Sequence, residues 1–165
     1  MNQFKGFVGL CILSLILPSL AHARDLQGRL GLGYNAQFAN YRESNNSVPA
    51  AAIKYAFTKD IAMEGVVGLA TTKPSNSVLG LKLFKNVFFE NNLNFYFMAA
   101  AGLVSANSKS GTDFQSGFGT EFFIPGLESV GFSMEVGADL TNITGSFVFR
   151  TLGASFLHAG MRFYF

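Results

Sequence analysis

This sequence is poor in the residues that carry most soluble enzyme chemistry. It has one cysteine, two histidines and no tryptophan, and only 13% of its residues are charged. Cys11 and His22 both lie in the first 23 residues. The remainder therefore has no thiol, no disulfide and no cysteine-based metal site, and His158 is its single histidine. One histidine and scattered carboxylates exclude the usual metal-ligand patterns as well. Basic and acidic residues number 12 and 10, so there is no basic excess to hold a polyanion, and nucleic acid is excluded as a partner. No later apolar run reaches the roughly 20 residues of a membrane-spanning helix. The longest covers residues 95–104.

What is present begins with an export signal. Lys5 precedes a nearly unbroken apolar stretch, residues 7–20, followed by Ala21-His22-Ala23. This charge, apolar core and small-x-small order is that of a cleaved secretory signal peptide, residues 1–23. Cys11 sits inside the apolar run, so it does not read as a lipoprotein cysteine. An uncleaved anchor is the alternative. The expected mature domain is residues 24–165, a single domain.

That domain is greasy without being helical. Hydrophobic residues are 49% of the chain and aromatics 15%. A chain too apolar for water, lacking spanning helices, can still satisfy its backbone in lipid as a closed β-barrel. The pattern agrees. Segments of about ten residues alternate apolar and polar side chains, the length a tilted transmembrane strand needs. The spacing predicts eight strands, at residues 26–39, 49–57, 61–71, 77–85, 93–104, 114–124 and 130–141, with the last ending at Phe165. One face carries, in order, Leu30, Leu32, Tyr34 and Phe38; Ala51, Ile53, Tyr55 and Phe57; Ile61, Met63, Val67 and Leu69; Leu79, Leu81 and Leu83. The same alternation continues through the later strands. Connections after the second, fourth and sixth strands read as short turns. Those at 40–47, 72–76, 105–113 and 142–151 read as longer polar loops, the asymmetry of outer-membrane barrels.

The opposite face carries charge. Lys54, Glu64, Lys82, Glu121, Glu135, Asp139, His158 and Arg162 all fall on it, together with Gln115 and many glycines. Such side chains are costly against lipid and expected in a lumen. Counted from the turns, Lys54, Glu64, Lys82, Glu121, Glu135 and Arg162 occupy one layer in the periplasmic half. Three cations and three anions can pair there, and each buried ion needs such a partner. Eight strands enclose an interior just wide enough to be filled by side chains. The expectation is a polar plug, and an ion pathway is the alternative reading. By parity alone, a soluble lipocalin-type barrel with the faces exchanged also remains open.

The chain ends with Leu157, Met161, Phe163 and Phe165 alternating on the apolar side of a strand whose last residue is aromatic. This resembles the C-terminal signature by which outer-membrane proteins are recognised for assembly. With the signal peptide and strand pattern, the chain resembles the small outer-membrane barrels that include OmpA transmembrane domains and OmpX. The resemblance covers about residues 25–165. It implies an all-β, eight-stranded, antiparallel up-and-down barrel in the outer membrane, monomeric and without cofactor. Its implied partners are outer-membrane lipid, lipopolysaccharide and, through the last strand, the barrel-assembly machinery. Two departures stand out: no tryptophan for an aromatic girdle, and no periplasmic peptidoglycan-binding domain. Its implied role is structural or surface interaction. A narrow ion or small-solute channel is the alternative, and a lipid-modifying enzyme a more remote one. His158 with Glu135 or Asp139 supplies only part of a serine–histidine–acid set, so no catalytic residue is assigned.

Overall fold

A computed structural model describes residues 25–35, 50–71, 75–106, 108–143, 145–151 and 156–165, with the side chains of 156 and 157 excepted. The expected signal peptide, Phe38, the 40–47 loop and the side chain of Leu157 lie outside them. The strands are β1 (Leu30–Asn35), β2 (Ala50–Ala56), β3 (Ile61–Ala70), β4 (Asn76–Glu90), β5 (Leu93–Ala106), β6 (Lys109–Phe123), β7 (Val130–Thr141), β8 (Val148–Arg150) and β9 (Phe156–Tyr164). Each pairs antiparallel with its sequence neighbour up to β7, and β7 pairs with both β8 and β9. β9 returns to β1, with Gly33 opposite Arg162. The sheet therefore closes on itself. β8 and β9 lie on one track along β7, so the wall has eight strand positions.

Closure sorts the side chains by parity, as a pleated strand requires. Leu69, Leu79 and Leu103 face outward and are 76%, 59% and 59% exposed. Lys54, Glu64, Lys82, Glu121, Glu135 and Arg162 face inward and are at most 3% exposed. This polarity excludes the soluble lipocalin-type arrangement, whose interior is apolar. No helix among the described residues is long and apolar enough to cross a membrane.

The interior is not uniformly polar. Ala50, Ala52, Val66, Val78, Met98, Ala100, Val104 and Ala106 form a buried apolar wall on β2 to β5. The barrel is also tighter at two seams than a side chain allows. A Cβ on Gly33 would lie 2.0 Å from the carbonyl oxygen of Met161, and one on Gly117 would lie 2.2 Å from that of Val136. Only glycine lets the backbones approach so closely there.

Three boundaries differ from those the spacing predicts. β4 continues to Glu90 through an irregularity between Asn86 and Phe88, so the connection to β5 shrinks to Asn91 and Asn92. Residues 105–113 are not a loop: Ala106 pairs with Lys109 in a tight hairpin. The 142–151 segment contains β8, whose Phe149 pairs with Leu140. The contrast of short and long connections is correspondingly weaker than the sequence suggests.

The turn between β2 and β3 is fastened from both sides. The Thr58 hydroxyl accepts from the backbone N–H of Asp60 and Ile61. Lys85 of β4 pairs with Asp60 at 3.0 Å, and the Asn86 amide donates to the Lys59 carbonyl.

Candidate functional site

The most chemically loaded region is a layer of ions across the lumen. Adjacent strands place Lys54 opposite Glu64 and Glu64 opposite Lys82. Glu121, Glu135 and Arg162 approach from β6, β7 and β9. The closed wall brings all six together, although they are spread over more than a hundred residues of sequence.

Each carboxylate has three partners. Glu64 accepts from the Arg162 Nε–H, from the Asn35 amide at 3.3 Å, and pairs with Lys82 at 3.3 Å. Glu121 pairs with Lys54 at 2.7 Å and Arg162 at 3.2 Å, and accepts from the Tyr164 hydroxyl at 2.6 Å. Glu135 pairs with Lys82 at 2.7 Å and Arg162 at 3.7 Å, and accepts from the Tyr96 hydroxyl at 2.9 Å. Arg162 also donates to the Ser133 hydroxyl oxygen at 2.9 Å. Three positive and three negative charges thus cancel in one layer, with the carboxylate oxygens occupied by donors. Buried ions persist when opposed and hydrogen-bonded in this way.

Phe84 lies at the centre of the cations. The Lys54 and Lys82 ammonium groups lie 4.6 and 5.2 Å from its ring centroid, and the Arg162 guanidinium carbon 5.9 Å. All three are within cation–π range. Tyr96 meets the same ring edge-on at 5.1 Å. Phe84, Tyr96, Tyr164, Asn35 and Ser133 were not singled out from the sequence. Strand parity was the available signal, since Phe84 follows Lys82 by two residues and Tyr164 follows Arg162 by two.

The other two expected members lie on the opposite-mouth side of the six-charge layer. His158 is buried and faces Glu135 across the β7–β9 ladder. Asp139 sits nearer the opposite mouth, between Gln115 of β6 and Arg150 of β8 in the ladder. Asp113 is buried close by and accepts from the Gln115 amide at 2.7 Å. The 105–113 loop expected from the sequence hid Asp113. At the C-terminus, Met161 and Phe163 alternate with the inward Arg162, and Phe163 and Phe165 are exposed on the outer surface.

Chemically, the layer can hold the wall together and obstruct the lumen. No group of three or more metal-ligating side chains occurs among the described residues. The Ser133 hydroxyl oxygen is engaged by Arg162.

No protein-family model matches this sequence, and no curated protein matches it by sequence. A solved structure does match by shape: the N-terminal β-barrel domain of Pseudomonas aeruginosa OprF. The match covers 83% of this chain and 96% of that one, with a TM-score of 0.54 and 14% identity. At that identity the likeness is one of fold: this chain, like that domain, is a closed, eight-stranded antiparallel β-barrel.

Proposed function

We propose that this protein is an integral outer-membrane barrel with a plugged lumen and a structural or surface-interaction role. The observation that carries this is the inversion of polarity: charges inside, leucines and phenylalanines outside. On β3 the outward row from Ile61 to Leu69 rises roughly 20 Å at the usual strand rise and tilt, close to the apolar band of outer-membrane barrels. In this reading residues 1–23 are a cleaved export signal. The turns at 57–60, 91–92 and 124–129, together with Phe165, face the periplasm. The opposite mouth faces outward, toward lipopolysaccharide. The barrel acts as a monomer, and its last strand, ending in Met161, Phe163 and Phe165, engages the assembly machinery.

The test is carbonate extraction of membranes, then gel mobility with and without heating, then planar-bilayer recording of the folded protein. The protein should stay in the pellet, shift on heating and give no reproducible conductance steps. Recovery in the soluble periplasm would sink the proposal.

One observation favours a channel as the second reading. Lys82 and Arg162 share Glu64 and Glu135, so the pairs can exchange partners without leaving any ion unopposed. That reading requires ion-selective steps that change in Glu121→Gln or Glu135→Gln. Catalysis has weaker support, because Glu135 is already held by Lys82 and the Tyr96 hydroxyl.

A further inference from the structure

Among the described residues, the outward surface is hollowed along β5. Four ladder rows cross this strand. The row nearest the outer mouth is Leu69, Ser77, Ser105 and Ser110. Below it come Val67, Leu79, Leu103 and Thr112, then Gly65, Leu81, Ala101 and Phe114, then Met63, Leu83, Ala99 and Ser116. On β5 itself the outward residues Ala99, Ala101 and Ser105 are small. They lie between the leucines of β4 and Phe114 and Phe118 of β6.

The result is a continuous groove. Its upper part holds about 650 Å³ and its lower part about 430 Å³, and both are bounded by Leu79, Leu103 and Thr112. Its composition is graded. Ser77, Ser105, Ser110, Thr112 and Asn142 surround the upper part, whereas Leu81, Ala101 and Phe114 line the lower. The Ser110 hydroxyl donates to the Ser105 hydroxyl at 3.2 Å, which fixes part of the rim.

We infer that this groove is a seat for one acyl chain of an outer-leaflet glycolipid of the lipopolysaccharide class. The inference rests on the outer-membrane reading above. The apolar floor matches a hydrocarbon chain. The rim matches the ester, amide and sugar oxygens at a glycolipid's polar end, which accept from hydroxyls and amides. Among the described residues, the groove's polar lining is hydroxyl and amide, not basic. A second barrel would need an apolar surface along the whole groove and would leave the serine hydroxyls facing hydrocarbon, an unfavourable burial.

The test uses the folded protein in vesicles of phosphatidylethanolamine and phosphatidylglycerol containing a minor fraction of photoactivatable lipid A. Cross-linked residues are mapped by mass spectrometry. Cross-links should concentrate on Ala101 and Leu103 at least several-fold over Ile53, which faces outward on β2. Ala101→Phe, which fills the groove, should abolish the excess, and Ile53→Phe should leave it intact. A heat-dependent mobility shift in both variants establishes that they fold. Ser105→Ala with Ser110→Ala should weaken capture of lipid A and leave general lipid labelling unchanged.

Even labelling around the barrel overturns the seat while leaving the membrane reading in place. Equal enrichment of a photoactivatable phosphatidylglycerol overturns the glycolipid assignment. Barrel-to-barrel cross-links through Ala101 overturn it in favour of a dimer. A protein that never enters the vesicles overturns the membrane reading itself, a result distinct from the other three.

Discussion

Arg162 touches all three carboxylates of the lumenal layer, so its loss has a different consequence from that of an exposed arginine. Replacing it with glutamine leaves Glu64 and Glu121 buried with less than their compensating charge. Breaking a buried ion pair in this way costs about 3–5 kcal/mol. Arg162→Gln is therefore expected to lower the urea midpoint for loss of the compact gel form substantially. A midpoint within error of the parent would mean that the network is not carrying the wall. Phe84 offers a finer probe. Phe84→Leu keeps an apolar side chain but removes the ring that faces three cations, and should cost about 1–2 kcal/mol by the same measurement. The six charges were legible in the sequence as one set because period-two alternation puts them all on the strand face opposite the apolar one. The aromatics around them were not. A phenylalanine or tyrosine suits lipid and lumen alike, so Phe84, Tyr96 and Tyr164 reveal their side only when counted from Lys82, Asn94 or Arg162.

At the level of strands, the seams at Gly33 and Gly117 set how tightly the wall can curve. Gly117→Val places a side chain against the carbonyl of Val136 and should cost at least about 1–3 kcal/mol in the same urea assay, through overpacking that β6 and β7 cannot relieve without separating. Gly65→Ala is the matched control, because a Cβ there has open space around it. Equal midpoints for the two variants would contradict the close approach. The terminal strand carries a prediction about assembly, not stability. Deleting Phe165, or replacing Phe163 and Phe165 with alanine, should reduce the amount of folded barrel in outer membranes while the purified chain still folds in detergent. Unchanged membrane yield would remove the assembly role. Strand ends were the least readable part of the fold for a physical reason. Beyond the apolar belt both faces of a strand are polar, so β5 and β6 look like loop from residue 105 to 113 although their ladder continues to Ala106 and Lys109. The shift between Asn86 and Phe88 reverses parity within β4 and breaks the period-two count. β8 was hidden because residues 151–155 separate it from β9 along the same β7 track.

For the molecule as a whole, orientation follows from closure. With an even number of strand positions, the Leu30 and Phe165 ends lie at the same rim as the turn holding Asn91 and Asn92. The hairpin carrying Ser108 and Lys109 lies at the other rim. Cys11 is the sole cysteine and falls in the expected signal segment, so single introduced thiols report position without background. Lys109→Cys should react with a membrane-impermeant maleimide on intact cells. Lys59→Cys, on the β2–β3 turn and exposed, should react only after the outer membrane is opened. Both exposed positions lie outside the lumenal network, so folding should be preserved and the heat shift retained. The reverse labelling pattern would invert the barrel in the membrane. It would also move the β5 groove, whose serine rim lies toward Lys109, from the outer leaflet to the inner one, where a phospholipid and not a glycolipid would meet it.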